Sequence, residues 1–405
     1  MAFFTRKNTK KVNATQDDEH YFSATFEVNN RVANVSESQA MMIPIFKNGV
    51  ELITNSIAQL PLQLLIKKQY NNIELIENDK RLNILNKRSN ARMTSYAMKK
   101  AIVKDLILYG HAYLYQKESQ LYVLESKNMQ LNHYTIDNVT IERTEFIYNN
   151  PKGTHIFNES EIIHFESGSN GVLYDSSETL EIALNQQVYS KNIFKNGALP
   201  IGLLKAGTRL TEKAIKNLRA SWEGIYSGSH KAGKTILLEE GLDYQPLSLK
   251  PDELGLDKSN SRINSDIAKA LNIPLSMLEE SANKYGSIST KNLLFLQTTI
   301  APLLKIIEET FNNAMLYEHE ENKGYEFRFN TNELLRGTNE EQADLALKLF
   351  EKGAISYHEM RAMLELAFDD STDYHKDSIG SVYKYADGTI LNLNTQMTNE
   401  EKEVA

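Results

Sequence analysis

From Ser177 to Met315 the chain reads as helix, strand-bearing insert, helix, polar glycine-bearing loop and one long apolar helix, and this order constrains the fold more than any other feature. Inside it, Gly228-Ser-His-Lys-Ala-Gly-Lys-Thr235 matches the spacing of a nucleotide-binding P-loop. A working P-loop follows a buried strand and opens a helix, so that backbone N–H groups and the helix N-terminus meet the phosphates. Here the order is inverted. An amphipathic segment from Thr211, with Ile215, Leu218, Trp222 and Ile225 at spacings of three and four, precedes the match, and the β-prone Thr235-Ile-Leu-Leu follows it. No later apolar run ending in Asp supplies a second, Mg2+-binding strand. We therefore expect a helix-to-strand turn that uses Gly228 and Gly233, not a nucleotide site.

At 405 residues the chain is long enough for two or three domains with a proper core. It contains no cysteine, which excludes disulfides and thiolate metal sites. The opening residues Met1 to Lys11 lack the apolar stretch of a secretory leader. The most apolar run, Leu293 to Ile307, is interrupted by Gln297, Thr298, Thr299 and Lys305, and is too short and polar to span a bilayer. A soluble protein without a membrane partner is expected. The net charge of −8 advertises no basic face for gripping nucleic acid.

Residues 1 to about 40 are polar and aperiodic apart from Tyr21, Phe22, Phe26 and Val28, and read as a flexible arm, with order beginning at Pro44. Ile53, Ile57 and Leu60 mark a helix from Phe46 that Pro61 stops, and Leu62 to Lys67 follows as a strand. A second helix, capped by Thr94 or Ser95, carries Met98, Ile102, Leu106 and Leu108 and ends at Gly110. Strands are expected at 111–115, 121–124, 139–141, 145–148 and 161–165, which makes this first part an α+β domain. Helices follow at 177–195, from Thr211 to Gly228, and at 254–271, the last ended by Asn272-Ile273-Pro274. The segments 235–239 and 242–244 read as a hairpin. A helix from Thr290 to Leu316 would be roughly 40 Å long, and Pro302 is expected to kink it. Tyr325, Phe327 and Phe329 alternate as a strand, and capping boxes at Thr338…Glu341 and Ser356…Glu359 open two helices. The tail from about Asn392 reads as loose.

Candidate chemistry is sparse. The nine histidines show no metal-ligand spacing. Asp369, Asp370, Asp373, His375 and Asp377 offer oxygen ligands of the kind that hold Mg2+ or Ca2+, but a solvated acidic segment is the plainer reading. His164 alternates along Ile162-Ile-His-Phe165 and reads as a packed or half-exposed residue, not a catalytic base. No Ser/His/Asp arrangement is evident. We expect no catalytic residue, no metal site and no cofactor. The loop Ser281-Ala-Asn-Lys-Tyr-Gly-Ser-Ile-Ser289, set before a rigid helix, suits either a surface connection or a projecting contact loop.

A family resemblance is carried by an ordered set of segments. Ser177…Val188…Phe194-Lys-Asn-Gly-Ala-Leu-Pro200-Ile-Gly-Leu-Leu204, Ala232 to Leu249, Ile267-Ala-Lys-Ala-Leu-Asn-Ile-Pro274-Leu-Ser-Met-Leu278 and the helix through Ala301-Pro302 resemble the phage portal proteins of the HK97-like family. Asp105 to Leu114 and Glu161 to His164 match upstream, so the resemblance covers about residues 45–335. It implies an α+β, ring-forming portal fold, with an α/β wing, a helical stem, a small α/β clip insert, a long kinked wing helix and a short helical crown. The arm would occupy 1–40, the wing 41–175, the stem 176–197 and 251–280, and the clip 198–250. The tunnel loop would occupy 281–289, the long helix and strand 290–335, the crown 336–385 and the loose tail 386–405. Asn283, Lys284, Tyr285, Gly286 and Ser287 would then line a DNA channel, and His230, Lys231 and Lys234 would face the terminase. The implied partners are further copies of the chain, typically twelve in all, the large terminase subunit, capsid and scaffolding proteins, a head-completion adaptor, and double-stranded DNA that slides through. A wall for sliding DNA gains nothing from a sticky basic surface, in keeping with the acidic total. The virion is the implied location, after assembly in the bacterial cytoplasm. Two rival readings are a P-loop enzyme, in which Lys234→Ala abolishes ATP binding, and a scaffold or adaptor without DNA passage.

Overall fold

Two short described segments precede the first strong helix. The computed structural model describes residues 22–23, 34–68, 73–135, 140–195, 202–207, 210–226, 242–246, 256–279, 288–331, 339–364, 366–367, 373–376, 382–385, 389–392 and 397–398. Strand β1 (Phe22–Ser23) pairs with a later strand, and α1 (Glu37–Ala40) opens on a Ser36/Gln39 capping box. Glu37 accepts hydrogen bonds from Lys104 Nζ and Tyr109 Oη, both at 2.8 Å. These contacts correct the expectation of a flexible arm to residue 40. The residues that hold the segment lie 67 and 72 positions away, beyond the reach of local periodicity.

The helix α2 (Pro44–Ala58) buries Phe46, Val50, Ile53 and Ile57 at spacings of three and four, with Pro44 in its first turn. Strands β2 (Leu62–Lys67) and β3 (Ile73–Ile76) follow. Then come α3 (Lys80–Asn86), capped by Asp79, and the hairpin β4 (Arg88–Asn90) and β5 (Met93–Thr94). Helix α4 (Ser95–Tyr109) is bounded as its sequence dictates: Thr94 accepts the Ala97 N–H, and Gly110 closes the helix in the left-handed region. Met98, Ile102, Val103 and Leu106 are all buried, and α4 packs directly on α2.

Six strands follow: β6 (His111–Lys117), β7 (Gln120–Leu124), β8 (Met129–Thr135), β9 (Ile141–Asn150), β10 (Gly153–Phe157) and β11 (Ile162–Glu166). They form two antiparallel sheets, β11-β6-β7 and β1-β8-β9-β10. Tyr113, Met129, Leu131, Phe146, Phe157 and Ile162 from both sheets pack into one cluster. Strands β3, β8 and β10 are not among those expected, and the expected 145–148 is the middle of the longer β9. Only Phe157 of β10 is buried, and β8 interposes Asn132 and His133, so neither carries a plain apolar alternation. Cross-strand pairing, not local pattern, makes them strands.

Beyond α5 (Val172–Asp175), helix α6 (Ser177–Lys195) spans the expected residues. The insert contains β12 (Gly202–Ala206), α7 (Glu212–Tyr226) and β13 (Leu242–Pro246), and α8 (Leu256–Ala270) returns from it. The partner of β13 among the described residues is β12, in place of the expected 235–239, which lies outside them. Gln186 joins α6 to α8, its Nε2 donating to Asn260 Oδ1 at 2.6 Å and its Oε1 accepting from Ser259 Oγ at 3.2 Å. Next, α9 (Ile288–Phe295), a π turn at Leu296–Ile300 and α10 (Ala301–Met315) run on as a long helix. The widened turn stands where a kink was expected, because Pro302 lacks an N–H and its ring crowds the carbonyl four residues back. The short α11 (Glu318–Glu321) leads to β14 (Tyr325–Phe329) in the sheet β14-β2-β3. Asn312 Oδ1 and Glu308 Oε1 of α10 accept the Phe327 and Phe329 N–H groups at 2.6 and 2.7 Å. That edge is thus closed by side chains instead of another strand.

The chain divides into two compact units, residues 1–286 with 294–330, and residues 287–293 with 331–405. In the second, α12 (Asn339–Glu351) precedes α13 (Tyr357–Met363), which carries the expected Ser356/Glu359 capping box. An antiparallel meander then runs through β15 (Tyr374–Lys376), β16 (Val382–Tyr385), β17 (Ile390–Asn392) and β18 (Met397–Thr398). The expected small helical crown over 336–385 thus holds, among the described residues, two helices and two strands, and β17 and β18 lie in the stretch expected as a loose tail over 386–405. The Tyr374 ring stacks on Tyr357 at 5.2 Å and meets Tyr383 at 4.6 Å, so irregularly spaced tyrosines supply the core that these short strands need. Helices and antiparallel strands alternate throughout, the expected α+β class.

Candidate functional site

Asn283, Lys284, Tyr285, Gly286 and Ser287 lie outside the described residues, as do His230, Lys231, Lys234 and the whole P-loop match from Gly228 to Thr235. The loop expected to reach Ser289 ends sooner, since Ile288 and Ser289 already belong to α9. Asp369, Asp370 and Asp377 also fall outside. Asp373 accepts the His358 backbone N–H at 2.9 Å and so caps the first turn of α13. Among the described residues no group of three His, Asp or Glu side chains could hold a metal ion, and no helix is long and apolar enough to cross a membrane.

The framework around the insert leaves apolar faces uncovered. On α6, Leu180 and Ala183 are buried in the chain's own core. On its other side Ile182, Val188 and Tyr189 stand 51, 55 and 49% exposed. Every described side chain of α7 is exposed or half-buried, with Ile215 at 45%. Covering such a residue contributes about 1.5–3 kcal/mol, so both helices gain by meeting another surface. Beside α6, a cavity of about 480 Å3 opens between the start of α2 and α8, lined by Ile43, Pro44, Ala183, Gln187, Asn260 and Ile263.

A histidine pair lies in the sheet β11-β6-β7. His111 follows the cap of α4 directly and is cross-strand neighbour to Glu166, and His164 faces Tyr113. His111 Nδ1 and His164 Nε2 are 3.1 Å apart, and His164 stacks on Tyr113 with centroids 4.8 Å apart. This is the packed histidine the sequence suggested. Burial, helped by the nearby His111 and His133, pushes the His164 pKa down to about 3, and burial also lowers that of His111. The folded state therefore resists a proton that the unfolded chain accepts near pH 6.5. Stability is present above that pH and drains as pH falls toward the folded value, with a slope of about 1.4 kcal/mol per pH unit for each such proton. Urea melts of wild type and His164→Phe should converge as pH drops from 7 to 4. Parallel curves would refute this.

Against known proteins, a family profile described as phage portal protein matches residues 44–365. The chain belongs to the phage portal protein family. The probable portal protein of Streptomyces phage phiC31 is 23% identical over 389 residues, which cover 91% of this chain and 82% of that one. A subunit from the neck of an empty gene transfer agent particle superposes with a TM-score of 0.55 at 20% identity, covering 84% of this chain and 96% of that one. The crystal structure of an HK97 family phage portal protein from Corynebacterium diphtheriae gives a TM-score of 0.55 at 16% identity, over 75% of this chain and 98% of that one. The portal family is structural, in keeping with a site made of surfaces. The profile takes in α6, the insert, α8 and the long helix, so the segments that carried the resemblance all fall within it. Sequence reading missed Asn272, whose side chain donates to Thr298 O 26 residues on, and Arg81, which pairs with Glu320 239 residues on. A helix ended by Asn instead of Gly was the one signal for the first.

Proposed function

We propose that this portal chain is the subunit of a ring, of twelve copies, set at one capsid vertex of a phage virion. The ring encloses the channel through which double-stranded DNA is packaged and ejected. The observation that carries this reading is the uncovered apolar face of α6, with Ile182, Val188 and Tyr189, together with the exposed Ile215 of α7. A lone subunit wastes these faces, whereas a closed ring presents each of them to a neighbour. The gene transfer agent relative comes from a particle neck treated with sixfold symmetry, which supports a ring.

In this reading residues 41–175 form the wing and 176–197 with 251–280 the stem. The clip is 198–250, with His230, Lys231 and Lys234 toward the large terminase subunit and later the head-completion adaptor. Residues 281–289 form the tunnel loop, with Asn283 to Ser287 at the DNA, and 336–385 the crown, ahead of the tail at 386–405. Capsid and scaffolding proteins meet the outer wing. The chain itself carries no catalysis, and the packaging ATPase is the terminase.

Native mass spectrometry with negative-stain imaging tests this. Wild type is expected as rings with a hole wide enough for B-form DNA. The Val188→Asp/Tyr189→Asp variant is expected as folded monomers with unchanged circular dichroism. Rings that survive the double substitution would remove α6 from the interface. A compact monomer that binds ATP and loses it on Lys234→Ala would overturn the reading.

A further inference from the structure

The end of α8 and the π turn of the long helix are joined by one asparagine. Asn272 stands just past α8 with φ 53°, in the left-handed region. Its N–H donates to Lys269 O and that of Ile273 to Ala268 O, at 2.9 and 2.8 Å, the two bonds that close a helix on a left-handed residue. Glycine adopts that conformation at least cost, so an asparagine there calls for a use of its side chain. That use is visible. Asn272 Nδ2 donates to Thr298 O at 2.6 Å, and Thr299 Oγ1 donates back to Asn272 O.

Thr298 O is the acceptor that the N–H of residue 302 would serve in a regular helix, and Pro302 has none. The π turn is built around the same gap. Ala301 N–H reaches back five residues to Leu296 O, and Thr298 Oγ1 donates to Leu294 O at 2.8 Å. The other side of the joint is firmly seated, because Leu271 and Ile273 are buried against α2 at Gly49, where a Cβ would lie 2.5 Å from Leu271 Cδ1.

We propose that Asn272 is a clasp that holds the π turn in its widened register and transmits any displacement of the end of α8 to the long helix. The clasp works because Pro302 leaves a carbonyl for it to hold. Restoring a backbone N–H at position 302 makes it redundant.

Native-state hydrogen exchange on the full chain reads this out. Asn272→Gly keeps the left-handed turn and deletes only the amide. It should speed exchange of amides 296–303 by about five- to tenfold, with α4 unchanged. In a Pro302→Ala background the same substitution should change those amides less than about twofold. Thr299→Val, which removes the other half of the clasp, should also loosen 296–303 and provides the reading if Pro302→Ala does not fold. The proposal is overturned if Asn272→Gly leaves 296–303 unchanged, if it loosens α4 equally, or if its effect is as large in the Pro302→Ala background as in the wild-type chain.

Discussion

Arg81→Met should cost the protein about 3 kcal/mol of stability, one of the two largest single-residue losses expected here. All five N–H groups of this guanidinium are used. Nε and Nη2 donate to the Asp79 carboxylate at 3.0 and 2.8 Å, Nη1 and Nη2 to Glu320 at 2.8 Å each, and Nη1 also to Met315 O at 2.8 Å. The group lies 5.5 Å from the centre of the Phe327 ring, and all three charged side chains are mostly buried. Removing the cation strands two carboxylates in a half-desolvated site and leaves a carbonyl at the end of α10 without its donor. Lysine does not repair this, since one ammonium cannot serve two carboxylates in a plane.

The pH dependence has a definite sign. Arg81 hydrogen bonds hold both Asp79 and Glu320 below the usual carboxylate range. Their contribution is therefore present above about pH 4 and is lost as pH falls through the folded-state values. Urea denaturation followed by circular dichroism should show a gap between wild type and Arg81→Met that is widest near neutrality and closes in acid. A gap under about 1 kcal/mol at pH 7 would mean that water replaces the arginine at little cost.

Gly171→Ala should be more damaging still, at about 4 kcal/mol or more. Gly171 has φ 81°, and a Cβ there would lie 2.3 Å from Leu108 O and 2.5 Å from Tyr109 C. Both neighbours are backbone at the end of α4, which cannot yield without unravelling that helix end. Gly110 faces the same junction from the other side, its would-be Cβ 2.0 Å from Ser169 O. Two backbones thus touch where the chain leaves the first α+β region for α6. Gly168→Ala is the internal control. Its φ is 76°, but nothing lies within 4 Å of the added methyl, so it should cost only the left-handed penalty of about 1 kcal/mol. Thermal melts of the two variants separate conformation from collision. Equal losses would refute the steric part of the account.

These residues also mark where sequence reading stops. Nothing in Ser167-Gly-Ser-Asn-Gly171 as a sequence reveals that Gly171 sits against Leu108. Arg81 looks like one more surface charge on a short helix until Glu320, 239 residues away, closes on it. Ile182, Val188 and Tyr189 of α6, by contrast, stand within seven residues of one another, so the apolar content of its uncovered face is a local feature of the sequence. The role given to Asn283 to Ser287 rests on the resemblance alone, and those residues lie outside the described ones.

What the sequence determined by itself is whatever is settled within about four residues. Thr94 and Gly110 bound α4, Ser356 and Glu359 open α13, and Tyr325, Phe327 and Phe329 alternate as β14. The segments from 177 to 316 carried the family resemblance because each of them is a local pattern of this kind. Tertiary structure alone decided that the segments of β8, β10 and the meander from β15 to β18 became strands, because a segment without a plain apolar alternation becomes a strand only through the partner it pairs with. It also decided that the carbonyl left open by Pro302 would be met by Asn272. Proline announces the gap in sequence, but only the folded chain brings a donor to it, since a backbone group cut off from its own helix takes whatever hydrogen bond the packing places within about 3 Å.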